Sequence, residues 1–130
     1  MTNLEDILGR LATRLVGCRV AAVAAMDGLL VERYPAEGEG PEVQRAPGAA
    51  ELEHVAADLT SSLSLLAGEI SRQLGSRIDE VIALGESGGY LARRVGDDLF
   101  CFVMVNANAD LGSVRREVEG VCRELAAVFA

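Results

Sequence analysis

The apolar residues of this chain fall into three blocks of helical spacing, separated by shorter runs rich in valine, alanine and glycine. In residues 3–16, Leu4, Ile7, Leu8, Leu11 and Leu15 recur at intervals of three and four, the spacing that stacks side chains on one face of a helix. Thr2 and Glu5 have the S/T-x-x-E arrangement of a capping box. Gly17 is the expected stop, because glycine enters the left-handed conformation without steric cost. Residues 50–75 carry one stripe of Leu52, Val55, Leu59, Leu63, Leu66, Ile70 and Leu74, and predict the longest helix, ended by Gly75. Residues 110–129 predict a last helix with Leu111, Val114, Val118, Val121, Leu125 and Val128 facing inward.

Between these blocks the pattern is that of strands. Residues 19–26 form a run, apolar from Val20 onward and too short for a helix, followed by Asp27-Gly28. That dipeptide between two apolar runs predicts a hairpin with a type I′ turn, so residues 29–34 become the second strand. The small side chains of the first strand suggest a central position with helices close on its faces. Residues 78–84, 90–95 and 99–105 are strands three to five, joined by the turns 85–89 and 96–98. Residues 35–49 hold all three prolines with glycines and acids and read as an exposed loop. The order α-β-β-α-β-β-β-α predicts an α+β fold: a five-stranded antiparallel sheet, the long middle helix on one face and the two terminal helices on the other.

At 130 residues, 50% hydrophobic and 25% charged, residues 1–130 read as one domain. A chain of this length buries roughly 65–70% of its unfolded surface, enough for a core without disulfides or metal. All twelve basic residues are arginine, and twenty acidic residues leave a net charge of −8. That balance speaks against nucleic acid, which needs a positive footprint, and against an anionic membrane surface. It is compatible with a basic protein partner. Cys18, Cys101 and Cys122 are odd in number and lack CxxC spacing; reduced, buried, inert thiols are expected. The N-terminus has no signal segment, and no apolar run approaches the ~20 residues that span a bilayer. A cytoplasmic location without membrane insertion is the expectation.

The chemistry-bearing residues are few. Without lysine there is neither a phosphate-binding P-loop nor a Schiff-base residue. The glycines of 85–89 lie between two strands and lack the helix a phosphate cradle uses. His54 is the only histidine, so a zinc site of two or three histidines is impossible, and any catalytic triad would rest on that residue alone. Its place on the first turns of a helix, among acids, fits a solvated or interface role. Asp97-Asp98 reads as turn chemistry, and Asp79-Glu80 as charge at the start of a strand. Arg93 and Arg94 alternate to opposite faces, one expected ion-paired and the other solvated. No catalytic residue, cofactor or metal is expected, and the chain reads as a non-enzyme.

The middle helix has a second face. At 100° per residue, His54, Ala57, Asp58, Ser61, Leu65, Gly68, Glu69 and Arg72 lie opposite the apolar stripe. Leu65 is large and apolar where solvent is expected, and its neighbours are small. A mid-helix glycine costs ~1 kcal/mol relative to alanine, so Gly68 suggests close approach of another backbone. This face is expected to pack on another chain, foremost a second copy across a two-fold axis.

The chain resembles the roadblock/dynein-light-chain family, and within it the bacterial MglB-like members. The resemblance rests on the Val20–Met26 strand, the Asp27-Gly28 turn, Leu29-Leu30-Val31, the Glu51–Leu74 helix, Gly89-Tyr90-Leu91, the Leu99–Val105 strand and Ala109-Asp110-Leu111-Gly112. It implies a homodimer in which the third strands pair antiparallel and the middle helices lie side by side. That places Ile78, Glu80, Ile82 and Leu84 at the interface beside the second face. It further implies binding of a Ras-like small GTPase on the helix pair, and stimulation of GTP hydrolysis by repositioning the GTPase's own groups without an arginine finger. Two other readings stand beside this one: a dimeric scaffold that recruits proteins without changing nucleotide turnover, and a small-molecule sensor, marked by an enclosed cavity with convergent polar groups.

Overall fold

The computed structural model describes residues 3–36 and 47–129. Its elements are α1 (Leu4–Arg14), β1 (Cys18–Ala25), β2 (Leu30–Tyr34), α2 (Ala49–Leu66), α3 (Glu69–Leu74), β3 (Glu80–Gly85), β4 (Gly88–Val95), β5 (Leu99–Asn106) and α4 (Leu111–Phe129). The strands form one antiparallel sheet in the order β2-β1-β5-β4-β3. The expected α+β architecture holds, and the loop predicted over 35–49 falls largely outside the described residues.

Period-two alternation divides the core into two layers. Ala21, Val23, Leu91, Val95, Cys101, Val103 and Val105 face α1 and α4, against Ile7, Leu8, Leu11, Val114, Val118 and Leu125. Val20, Ala22, Ala24, Ala92, Phe100 and Phe102 face α2, against Leu52, Ala56, Leu59 and Leu63. Every residue from Val20 to Ala24 is fully buried, which explains why β1 carries small side chains: helices press on it from both sides. Phe100 and Phe102 supply the bulk under α2, with ring centroids 5.6 Å apart.

The local signals differ from expectation in several places. Thr2 lies outside the described residues, and the α1 cap is Asn3, whose Oδ1 accepts from the Asp6 N–H at 2.8 Å. The helix ends at Arg14 with Leu15 in extended conformation, so Gly17 (φ +83) serves the turn into β1 and does not cap α1. The Asp27-Gly28 hairpin is present but is not type I′. Gly28 has φ +91, while no described non-glycine residue has positive φ. The Asp27 carboxylate accepts from the Leu29 N–H instead, at 3.0 Å. Local side-chain hydrogen bonding of this kind is the alternative that aspartate offers a turn.

The largest departure is in the middle helix. It breaks after Leu66, with Ala67 as its C-cap and Gly68 as the N-cap of the short α3, which ends at Gly75. α4, at 19 residues, is therefore longer than α2, at 18. Beyond the break the apolar stripe leaves the core: Ile70 is 48% exposed and Leu74 64%, and α3 has no buried residue. Val128, expected to face inward, is exposed at the end of α4.

Candidate functional site

α2 is held to the sheet by Leu52, Ala56, Leu59 and Leu63, and this fixes what it turns outward. His54, Ala57, Asp58, Ser61, Leu65, Gly68, Glu69 and Arg72 are all exposed, Leu65 to 80%. His54 to Leu65 share one rigid helix. Ala57 lies on the flank toward the β1–β2 turn, where a Cβ on Gly28 would meet its Cα at 3.4 Å. Glu69 and Arg72 belong to α3 and pair with each other at 2.9 Å. A Cβ on Gly68 would meet only the Leu65 carbonyl at 3.5 Å, an ordinary contact. Within this chain that glycine marks a helix break and not a tight crossing. Ile70 and Leu74 add to the exposed apolar surface. Sequence reasoning assigned them to the core, because periodicity alone does not reveal where a helix stops covering its sheet.

The second part of the candidate surface is the free edge of β3. Ile78 lies just before the strand, and its carbonyl accepts from Arg94 Nε at 3.2 Å. Glu80, Ile82 and Leu84 alternate to the sheet face that carries α4, since Glu80 pairs with Arg115 of that helix. Val81 packs instead toward the α2 layer. The residues singled out in sequence therefore lie on two faces of the sheet that meet along the β3 edge. The opposite edge, β2, is interrupted by a register shift in its pairing with β1 and is followed directly by Pro35, two devices that discourage strand addition. β3 has neither: its register with β4 is unbroken from Glu80 to Gly85, and Ile82 and Leu84 are 38% and 59% exposed. The β3–β4 hairpin closes tightly because Gly89 has no side chain; a Cβ there would stand 2.1 Å from the Ala83 carbonyl oxygen.

The charged residues near this edge are organised by pairing. Arg93 Nη1 lies 3.5 Å from Glu80 Oε1, and Arg115 Nε lies 2.7 Å from Glu80 Oε2. The Glu80 side chain is only 11% exposed as a result. Arg77 bridges Asp79 at 3.0 Å and Asp97 at 2.7 Å. Hydrogen bonds to Asp79 and then Asp97 raise the guanidinium pKa above its ordinary value. Of the Arg93-Arg94 pair, Arg93 is the ion-paired one, and Arg94, which would then be the solvated one, is instead half-buried: besides Ile78 it reaches the Met26 sulfur. The candidate surface thus contains arginines fixed by carboxylates.

A groove of about 580 Å³ runs beside α2, lined by Arg19, Glu51, His54, Val55, Tyr90 and Met104. Burial raises the Tyr90 phenol above its ordinary pKa. The groove is open along the surface, unlike the enclosed cavity that marks a sensor. No group of three or more histidines, cysteines or carboxylates among the described residues is placed to hold a metal ion. Cys101 and Cys122 are buried and Cys18 is partly buried, and all three are free thiols. Burial pushes the Cys18 thiol up to about 11. Cys101 is raised as well, first by its hydrogen bond with Cys122 and then by burial. Among the described residues, no helix is long and apolar enough to cross a membrane.

An antiparallel sheet covered by helices on both faces, with Leu65 exposed on α2 and one sheet edge left open, frames the candidate surface. Comparison of sequences finds no matching family model and no matching curated protein. Comparison of folds is decisive. The Roadblock/LC7 domain from Streptomyces avermitilis superposes with a TM-score of 0.81 at 16% identity, over 98% of each chain. The gliding protein MglB from Thermus thermophilus gives a TM-score of 0.79 at 18% identity, over 95% of this chain and 85% of that one. An MglB in a tetrameric arrangement gives 0.80 at 18% identity, with the same coverage. The fold is that of Roadblock/LC7 domains, as the sequence resemblance implied.

Proposed function

We propose that this chain is a homodimeric, non-enzymatic regulator of a Ras-like small GTPase, which it binds through the paired α2 helices. The observation that carries the self-association is the 80% exposure of Leu65 on a helix whose other large aliphatic positions are buried or half-buried. The open β3 edge beside it supports the same reading, as does the tetrameric arrangement in which one MglB of this fold is found. The GTPase reading rests on the likeness to MglB, both in the sequence pattern and in the fold.

The chemistry of the surface fits regulation by binding. α2 contains no arginine or lysine, so it offers no cation to insert into a GTPase site. Its effect on nucleotide turnover would come from favouring one conformation of the partner through differential affinity. Two measurements test this. Light scattering is expected to give a dimer for wild type and a monomer for Leu65→Glu, since a carboxylate buried without a partner is costly at an interface. GTP hydrolysis by the small GTPases of the same organism, followed with and without this protein, is expected to quicken for one of them. A dimer that binds such a GTPase and leaves hydrolysis unchanged would identify a scaffold instead.

A further inference from the structure

The groove beside α2 opens where the helix stops covering the sheet. Val20, Met104 and Tyr90 are partners across β1, β5 and β4 and form one row on the α2 side. Val20 is fully buried, whereas Met104 and Tyr90 are only partly covered. The open end of the row leaves a thioether and a phenol as a floor, with Val55 of α2 as an apolar wall. The volume of about 580 Å³ falls within the roughly 300–1,000 Å³ of small-molecule sites. Helix and sheet of a single chain supply these walls, so no second copy is needed to form them.

A register shift brings charge to this floor. Cys18 pairs with Val105 and Val20 with Met104, so Arg19 is an extra residue of β1 with no partner position on β5. Cys18 packs in the layer of α1 and α4, and Val20 in the layer of α2. Plain alternation would put these two on the same face. The bulge turns Arg19 and Val20 both toward α2 instead, and Arg19 lines the groove. From the helix come Glu51 and His54, three positions apart and so neighbours on one face. Opposite charges converge on one hydroxyl: burial raises the Tyr90 phenol first, Arg19 lowers it and Glu51 raises it. A simple anion here would meet Glu51, and a simple cation Arg19, each repelled. A ligand bearing both charges on an apolar body meets neither penalty. The Tyr90 ring and the Met104 sulfur both favour an aromatic body.

We infer that this groove binds a small zwitterion of the aromatic α-amino acid class, with its carboxylate toward Arg19, its ammonium toward Glu51 beside His54, and its ring on Tyr90 and Met104. The groove is open along the surface, so the bound ligand keeps part of its hydration and its affinity is expected in the millimolar range.

The test is an amide NMR titration of the full chain with L-phenylalanine, with phenethylamine, which lacks the carboxylate, and with hydrocinnamate, which lacks the ammonium. Saturable shifts centred on Glu51, Val55 and Tyr90 are expected with phenylalanine, and binding about tenfold weaker with either half-molecule. Glu51→Gln changes an exposed residue and keeps its shape. It is expected to weaken phenylalanine about tenfold while hydrocinnamate binds no more weakly than before. Arg19→Gln is expected to weaken hydrocinnamate and to spare phenethylamine. Absence of saturable shifts in the millimolar range, or shifts centred away from the groove, would overturn the site. Half-molecules that bind as tightly as phenylalanine, or a Glu51→Gln chain that binds phenylalanine unchanged, would overturn the zwitterion as its ligand.

Discussion

Asn3 and Cys18 show how much single side chains contribute here. Asn3 satisfies one of the free N–H groups at the start of α1. Asn3→Ala should lower stability by about 1 kcal/mol, measured by urea denaturation. Cys18 is a pH-dependent contribution. Its thiol titrates at about 11 in the folded chain against 9.0 for the ordinary group. Between these values the unfolded state releases its proton while the folded state keeps it, so stability falls as pH rises. The contribution is complete below pH ~9 and lost by pH ~11, on the order of 2–3 kcal/mol. Cys18→Ala should flatten the stability profile over that window in denaturation series at fixed pH. Phe102, fully buried between β5 and α2, should cost about 3–5 kcal/mol when changed to alanine.

At the scale of elements, α3 is the outlier. With no buried residue, it has little to oppose local opening. Its amide hydrogens should exchange faster than those of α2 or α4 in the isolated chain. They should become protected when self-association covers Ile70 and Leu74, which hydrogen-exchange mass spectrometry at two concentrations can read. The same segment shows where sequence stops being informative. Leu4 to Leu11, Val20 to Ala24 and Val114 to Leu125 were legible because their spacing matches the layers they pack against. Ile70 and Leu74 continue the stripe of α2 without a sheet beneath them, and spacing is blind to that loss. On the candidate surface, Leu65 was legible as an apolar residue on a polar face. The pairing of Arg115 with Glu80 was not, because it depends on contact between α4 and β3, separated by 35 positions. The type I′ expectation failed for a smaller reason: the Asp27 carboxylate can satisfy the Leu29 N–H without positive φ at its own position.

At the scale of the whole molecule, charge distribution matters more than its sum. α2 carries Glu51, Glu53 and Asp58 with no arginine or lysine, so in the proposed dimer two such helices side by side would present a concentrated negative field. Acidic steering of this kind is screened by salt. Association with a GTPase partner should weaken several-fold between roughly 50 and 200 mM NaCl, chiefly through a slower on-rate, measurable by surface plasmon resonance. The groove beside His54 lies along the same flank of α2, so a partner covering the acidic helix would cover it as well.

The full burial of Val20–Ala24 reaches beyond stability. A strand walled in on both faces constrains its residues by size and by refusal of charge, and hardly at all by identity, since small aliphatic neighbours trade places as long as total volume is conserved. Inheritance under such a rule preserves shape while letters drift. A strand of this kind carries little textual signature, and likeness to it is written in the spacing of volumes.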